Sequence, residues 1–441
     1  AEALRAFAHG QKDPRVVSVE GRQREEAPVF VYSGNGSQYL GMGRLPYRKD
    51  EAYRAAYDEF DAIFTEMMGW SVIDKMNSET LSQEWGDCRV IQALVIADQI
   101  AQTAALAKRG IVPAATIGHS GGEVAAAWAA GALSLEDAVR LIRVRARAVR
   151  PLAGRGGMAA VLASAETVQG MLDELGMQAE ISVAGDNSPR SVTICGEADA
   201  LDRFGHSARK QRVAVRRLAV AYPYHGPAID EIRDELLSGL ADLAPRPAKL
   251  AFVSTTTGAR AEGECLGATH WWHNARDAVR FREAVGALDE LGCTVFVEIG
   301  PRPVLPSYVG DTLDGLGRAG AVLGTIEGPG KSSSIDMMAA RAVAWAAEVA
   351  AKFDVPLTVA HVLQHGRPVE ELARMAEVEH LVRTARNEAK LEWDNPPGTM
   401  GALFAGKNTA DETARLVTLI GDDSFGEGKY QSSVEVKLKD G

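Results

Sequence analysis

The sequence predicts an α/β fold: a layered domain with a largely parallel sheet, interrupted by a smaller β-α-β-β-α-β subdomain. Three observations carry this. Short apolar, β-branched runs alternate with longer stretches of helical period. One of those runs ends in a glycine-rich turn directly before an alanine-rich helix. Between 155 and 219 the rhythm changes to strand, helix, two strands, helix, strand, which is the ferredoxin-like unit.

Taken in order, residues 1–27 read as a polar connector, with a short helical piece at Ala1–Ala8 and no apolar period after it. PVFVY (28–32) is a β-rich run that enters the turn SGNGSQ. Further strands are expected at ATI (115–117), AFVST (251–255) and TVFVEIG (294–300), each beside a helical pattern. These build a large subdomain in two parts, 28–154 and 220–325. The insert, 155–219, runs GMAAVLA as strand, ETVQGMLDELG as helix and a hairpin around DNSPRS. It closes with the helix ADALDRFGHSARKQ and the strand VAVRRLAV. Residues 326–441 read as a linker (EGPGKSSS) followed by two helical stretches, MMAARAVAWAAEVAAKF and LARMAEVEHLVRTARNEAKLEW, with no pattern that points to chemistry.

Composition narrows the function classes. An apolar fraction of 46% in 441 residues can bury a sizeable core. A net charge of −11 argues against a nucleic-acid partner, which needs clustered positive surface. The four cysteines, Cys88, Cys195, Cys265 and Cys293, have neither CxxC spacing nor histidine neighbours, so neither a metal site nor a disulfide framework is expected. They read as reduced thiols of a cytoplasmic protein. No apolar run is expected to span a membrane, and no signal-peptide core opens the chain. The absence of an initiator methionine fits a segment of something longer.

The strongest local signal is Gly118-His119-Ser120-Gly121-Gly122, a G-x-S-x-G between the strand-like AATI and the helix EVAAAWAAGA. A sharp strand-to-helix turn exposes the serine hydroxyl at the helix start, where backbone N–H groups and the dipole favour negative charge. A hydroxyl needs a base. His225 is the best placed of the nine histidines, at the expected end of the apolar run RLAVAYPYH. His119 is too close to the turn to fold its ring back and reads as structural.

Arg145 stands out by helical period. SLEDAVRLIRVRARAV opens with a capping pair, Ser134 and Asp137, and puts Arg140, Arg143, Arg147 and Arg150 on one side. Arg145 falls opposite, among Ala138, Leu141, Ile142 and Val149. A buried-face arginine needs an anionic partner, and a guanidinium matches a carboxylate in a bidentate fork. An internal Asp or Glu is the other way to satisfy it.

Several segments together resemble the malonyl-CoA:acyl-carrier-protein transacylase family and the acyltransferase domains of type I polyketide synthases. They are SGNGSQYLGMGR (33–44), IGHSGGEVAAAWAAGALSLEDAVRLIRVRA (117–146), AYPYHGPA (221–228), WWHNARDAVRF (271–281) and VEIGPRPVL (297–305). Even ALRAFAHGQKDPRVV at the start looks like the tail of a ketosynthase-to-acyltransferase linker, and 326–441 would be the post-acyltransferase region.

The resemblance implies a hydrolase-like large subdomain carrying the ferredoxin-like insert. It implies Ser120 as the acyl-accepting nucleophile and His225 as its base. A main-chain carbonyl near Asn274 would orient the histidine in place of a triad acid. Backbone amides of Asn35 and Gly121 would form the oxyanion hole, and Arg145 would hold the free carboxylate of the acyl group. Most members carry Gln where this chain has Asn35. The four residues ending at the base track extender choice in the family, as HAFH for malonyl and YASH for methylmalonyl. Here Tyr222-Pro223-Tyr224-His225 matches neither. Tyr224 resembles the Phe of the malonyl type, while Gly121 leaves more room than the residues usual there. The expected substrates are malonyl-CoA (or methylmalonyl-CoA) and the phosphopantetheine thiol of an acyl carrier protein, with no bound cofactor and no metal. The expected partners are that carrier protein and the synthase's other domains. An editing thioesterase with the same Ser/His pair is the rival reading, and a docking module with a decayed site is the third. The thioesterase has no need of Arg145, and the intact Ser, His and Arg set speaks against decay.

Overall fold

The structure is a computed structural model that describes residues 27–325 apart from Ala319. The connector expected at 1–27 lies outside the described residues except for its last position, and the helices expected after 326 lie outside them entirely.

Its strands are β1 (Val29–Tyr32), β2 (Ala115–Gly118), β3 (Gly157–Val161), β4 (Ile181–Ser188), β5 (Ser191–Gly196), β6 (Val215–Arg217), β7 (Ala251–Ser254), β8 (Ala259–Arg260), β9 (Val279–Arg280), β10 (Val295–Ile299) and β11 (Ala321–Gly324). The larger sheet runs β11-β10-β1-β2-β7-β8, parallel throughout except for the short edge strand β8. Its central strands are apolar on both faces because both faces are covered. Phe30 and Tyr32 point into the core that contains the helix Cys88–Lys108, whereas Val29 and Val31 face Ile117, Val253 and Phe281 on the other side. Parallel order brings the C-terminal ends of β1, β2, β7 and β10 to one edge, and the loops there build the site.

The smaller sheet runs β6-β3-β5-β4-β9. Its first four members are the fourth, first, third and second strands of the insert, with the helices Ala165–Leu175 and Ala198–Lys210 packed on one face. This is the ferredoxin-like topology expected, and β9 of the large subdomain extends it in parallel with β4.

Two local expectations are corrected. The closing strand of the insert is only Val215–Arg217, and residues 218–225 form no strand at all. Pairing with β3 stops at Ala159↔Arg217, in the middle of β3, and the chain then crosses to the large subdomain through Pro223, which has no N–H to give a ladder. The base candidate therefore sits in a turn rather than at a strand end. In addition, the 21-residue helix Cys88–Lys108 is long and apolar enough to cross a membrane by length and composition. It is instead the core helix of this fold, with 89% of its apolar window buried.

Candidate active site

Ser120 is held by a turn that only small residues allow. Gly118 packs on the backbone of Glu123, and Gly122 on the carbonyl of Tyr32, so a side chain at either position would collide with main chain. Between them Ser120 adopts φ 53°, the left-handed region that a non-glycine residue enters only when its surroundings impose it. The helix Glu123–Ala129 that follows is anchored by its first residue. The buried Glu123 carboxylate accepts from the Thr256 amide at 3.0 Å and the Thr255 hydroxyl at 2.7 Å, and faces His270 Nε2 at 3.1 Å. His119 turns away, as expected of a structural residue, and meets Asn187 of the insert at 2.8 Å.

The turn aims Ser120 Oγ at His225 Nε2, 2.6 Å away across 105 residues of sequence. His225 also has a positive φ, 59°; it and Ser120 are two of only three non-glycine residues with positive φ among those described. Its amide donates to the Ala275 carbonyl at 3.0 Å, which pins the turn to the helix Ala268–Arg276. Nδ1 lies 2.8 Å from the main-chain carbonyl of Asp277. A carbonyl can only accept, so the proton sits on Nδ1 and Nε2 is left to receive the serine proton. The orienting carbonyl belongs to Asp277, three residues beyond the expected Asn274. It is free because the helix has ended at Arg276 and Asp277 is already extended.

Asn274 does something else. Its Nδ2 donates to the Ser120 carbonyl at 3.2 Å, and its Oδ1 accepts from Arg145 Nη1. One buried amide thus ties the elbow to the arginine.

Arg145 lies where helical period placed it, 4% exposed on the helix Leu135–Val149, while Arg143, Arg147 and Arg150 are exposed. No carboxylate pairs with it among the described residues: Asn274 is a neutral acceptor, and Arg145 Nε has no hydrogen-bond partner. Burial pushes its pKa below the usual guanidinium value. A narrow cleft of about 310 Å³, counting its open mouth, brings Arg145 together with Asn35, Gly121, Gln92 and Ile142. The Asn35 loop lies against the elbow, since a Cβ on Gly34 would come within 2.7 Å of the His119 carbonyl and 3.7 Å of the Gly121 amide. A Cβ on Gly121 would meet nothing within 4 Å, so that position keeps the room expected of it.

Tyr222 and Tyr224 are buried but do not line this cleft. The Tyr224 ring stands 6.0 Å from the Arg145 guanidinium and 5.9 Å from the Tyr222 ring, and its hydroxyl accepts from Gln92 Nε2 at 2.9 Å. Gln92 was not singled out by sequence, although a lone amide inside RVIQALVIA was the available signal. No cluster of His, Cys, Asp or Glu with metal-binding geometry occurs among the described residues.

Burial, and then the positive field of Arg145, lowers the His225 pKa from 6.5 to about 3, against the opposing pull of the Asp277 carbonyl. The imidazole is thus neutral throughout the range in which an ordinary histidine titrates. We expect kcat/KM for self-acylation, which reports the free enzyme's base, to show no inflection at pH 6.5. A descending limb centred there would mean that His225 is charged at that pH. Linkage has a matching sign. Below pH 6.5 an unfolded His225 gains a proton that the native state refuses, so stability falls as pH drops from 6.5 toward about 3.

A strained serine on a strand-to-helix turn, a neutral imidazole against it and an adjoining cleft lined by Asn35 and Gly121 form a site with the parts that acyl transfer needs. The profile of the acyl transferase domain family matches residues 29–351, and the chain belongs to that family. Polyketide synthases, and acyltransferase domains solved from them, are among the proteins it is similar to. The chain is 37% identical over 327 residues to polyketide synthase GfsB of Streptomyces halstedii, covering 74% of this chain and 6% of that protein. It therefore spans a small fraction of that relative's length. Two solved structures are similar. The acyltransferase domain from module 8 of the salinomycin polyketide synthase has a TM-score of 0.72 and 33% identity, with 78% of this chain and 81% of that one covered. The acyl transferase domain of SpnD in complex with 2-(pent-4-yn-1-yl)malonyl has a TM-score of 0.67 and 30% identity, covering 75% and 79%.

Proposed function

We propose that this acyltransferase takes a malonyl-type extender from coenzyme A onto Ser120 and passes it to the phosphopantetheine thiol of an acyl carrier protein. The observation that carries the reading is Arg145, a buried cation without a carboxylate partner among the described residues, in the same cleft as Asn35 and Gly121. An enzyme for uncharged acyl groups gains nothing from it, and it bears the desolvation penalty whenever the cleft is empty. The 2-(pent-4-yn-1-yl)malonyl group in the structure of the SpnD domain, a substituted malonyl, supports the same dicarboxylic class.

In the proposed sequence, His225 Nε2 takes the Ser120 proton as Oγ attacks the thioester carbonyl. The oxyanion lies on the Asn35 and Gly121 amides, and Nδ1 keeps its proton on the Asp277 carbonyl while the ring is cationic. Coenzyme A leaves with the proton from Nε2. The carrier thiol then attacks the acyl-serine by the reverse path. Malonyl is the favoured acyl group over methylmalonyl.

The rival, an editing thioesterase, uses the same pair but sends the acyl group to water. Incubation with labelled malonyl-CoA and a phosphopantetheinylated carrier protein separates the two. The expected product is labelled carrier protein that forms only in the presence of both. Free malonate as the main product would reject the transferase reading.

A further inference from the structure

Resting on the reading that the Asn35 amide receives the oxyanion, we infer that Gln99 is a positioning residue for the reaction: it sits behind the cleft and sets the place of that amide. The loop that carries Asn35 starts where β1 ends. β1 and β10 pair in parallel as far as Tyr32↔Ile299, and the Ser33 amide adds one last, long bond of 3.4 Å to the Ile299 carbonyl. The donor to the Ser33 carbonyl is a side chain. Gln99 Nε2 lies 2.7 Å from it, and donates to the Ile299 carbonyl as well at 3.1 Å. One buried amide nitrogen, on the helix Cys88–Lys108, thus clips two strand ends together two residues before Asn35. Only an NH2 group can donate to two carbonyls, so the amide has a single orientation. Its Oε1 then has no hydrogen-bond partner among the described residues, a cost that an apolar side chain at 99 would not carry.

Ser33, Gly34 and Asn35 line the cleft and Gln99 does not, so its effect on the chemistry passes through the loop. Farther along, Ser37 Oγ donates to the Gly34 carbonyl at 3.1 Å and Arg302 Nη2 to the Gly36 carbonyl at 2.7 Å. Gln99 is the hold on the buried side, where the loop leaves the sheet. Gln102, three residues on, donates to the Gly300 carbonyl at 3.0 Å and steadies only the β10 side of that edge. An oxyanion donor is effective when it is already aimed as the charge develops. Releasing the Ser33 carbonyl lets the Asn35 amide drift from that aim while Ser120, His225 and Arg145 keep their places.

The test is single-turnover acylation by malonyl-CoA, read by intact mass after quenching, with a thermal melt of each variant. Gln99→Leu fills the space but donates nothing. Its limiting rate is expected to fall about 100-fold, the cost of misplacing a catalytic group by about 1 Å. Its half-saturating malonyl-CoA concentration is expected to stay within about twofold of wild type, because the oxyanion exists only beyond the ground state. Gln99→Glu is the second variant. Protonated, the acid still donates to the Ser33 carbonyl; ionised, it sets a carboxylate against two carbonyls. Its rate is therefore expected to approach wild type at low pH and to fall toward that of Gln99→Leu as pH rises. The neighbouring buried carboxylates are Asp98, which faces Tyr53 and Gln102, and Glu298, which faces the Val304 and Leu305 amides. Both are present in wild type too, so the difference between the two pH profiles belongs to position 99. A folded Gln99→Leu with the wild-type limiting rate, or with a change in half-saturation alone, overturns the assignment. So does a Gln99→Glu profile parallel to wild type, which decides the matter if Gln99→Leu fails to fold. If wild type is acylated by p-nitrophenyl acetate but not by malonyl-CoA, the substrate class is at fault. The variants are then compared by the nitrophenolate burst, where the same loss is expected and its absence overturns the assignment. If neither reagent acylates wild type, the nucleophile reading falls and the role of Gln99 falls with it.

Discussion

Ser120→Ala is expected to leave a folded protein that acquires no acyl mass from malonyl-CoA and loses at least about 10⁴-fold in transfer rate. The loss is this large because, in the proposed sequence, Oγ is the atom to which the acyl group is bonded, not a contact that assists another. Everything else stays in place. Alanine can occupy the same left-handed turn, since Gly118 and Gly122 make the close approaches and φ 53° is imposed from outside. His225 keeps its bonds to Asp277 and Ala275 and loses only the 2.6 Å contact to the hydroxyl. Residual turnover is expected from the oxyanion amides and binding alone. The measurement is intact mass after incubation, with a melt to show an unchanged fold. An acyl adduct on Ser120→Ala would mean that another residue is the nucleophile.

The parts of this site legible in sequence are those that a period or a fixed spacing encodes. The elbow is contiguous, so five residues and their flanking strand and helix were enough to find Ser120. Arg145 was legible because 100° per residue turns position into a face, and its burial follows directly. The sheet was legible because strands covered on both sides read as unbroken apolar runs. What stayed hidden depends on long-range fit. Every residue has a carbonyl, so nothing in the string distinguishes Asp277 from Asn274 as the acceptor for Nδ1; only the end of the helix at Arg276 does. His225 was found for a partly mistaken reason, since the apolar run before it leaves the sheet as the chain crosses between subdomains. Gln92 meets Tyr224 across 132 residues, and no local pattern anticipates that.

Arg145→Ala is expected to separate substrate recognition from the acyl-transfer chemistry. Malonyl-CoA should lose roughly 30-fold or more in kcat/KM, the effect of about 2–5 kcal/mol for removing one partner of a buried, hydrogen-bonded charge pair. Acetyl-CoA, which offers no carboxylate, should be loaded no worse than before, because Ser120 and His225 are untouched. Arg145→Lys should recover little. A lysine brings the charge but not the two-pronged geometry, and the contact from Nη1 to Asn274 Oδ1 depends on the guanidinium's reach. Stability should move the other way from activity. The wild type buries a cation with an orphaned Nε and, among the described residues, no carboxylate opposite, so removing it relieves a desolvation penalty that offsets the cavity left behind. We therefore expect Arg145→Ala to melt at or above the wild-type temperature while losing its malonyl preference. A structural arginine, paired for the sake of the fold, would give the opposite result: a lower melting temperature and equal losses for malonyl and acetyl. That outcome would detach the carboxylate from Arg145, and with it the reason for placing a dicarboxylic acyl group in this cleft.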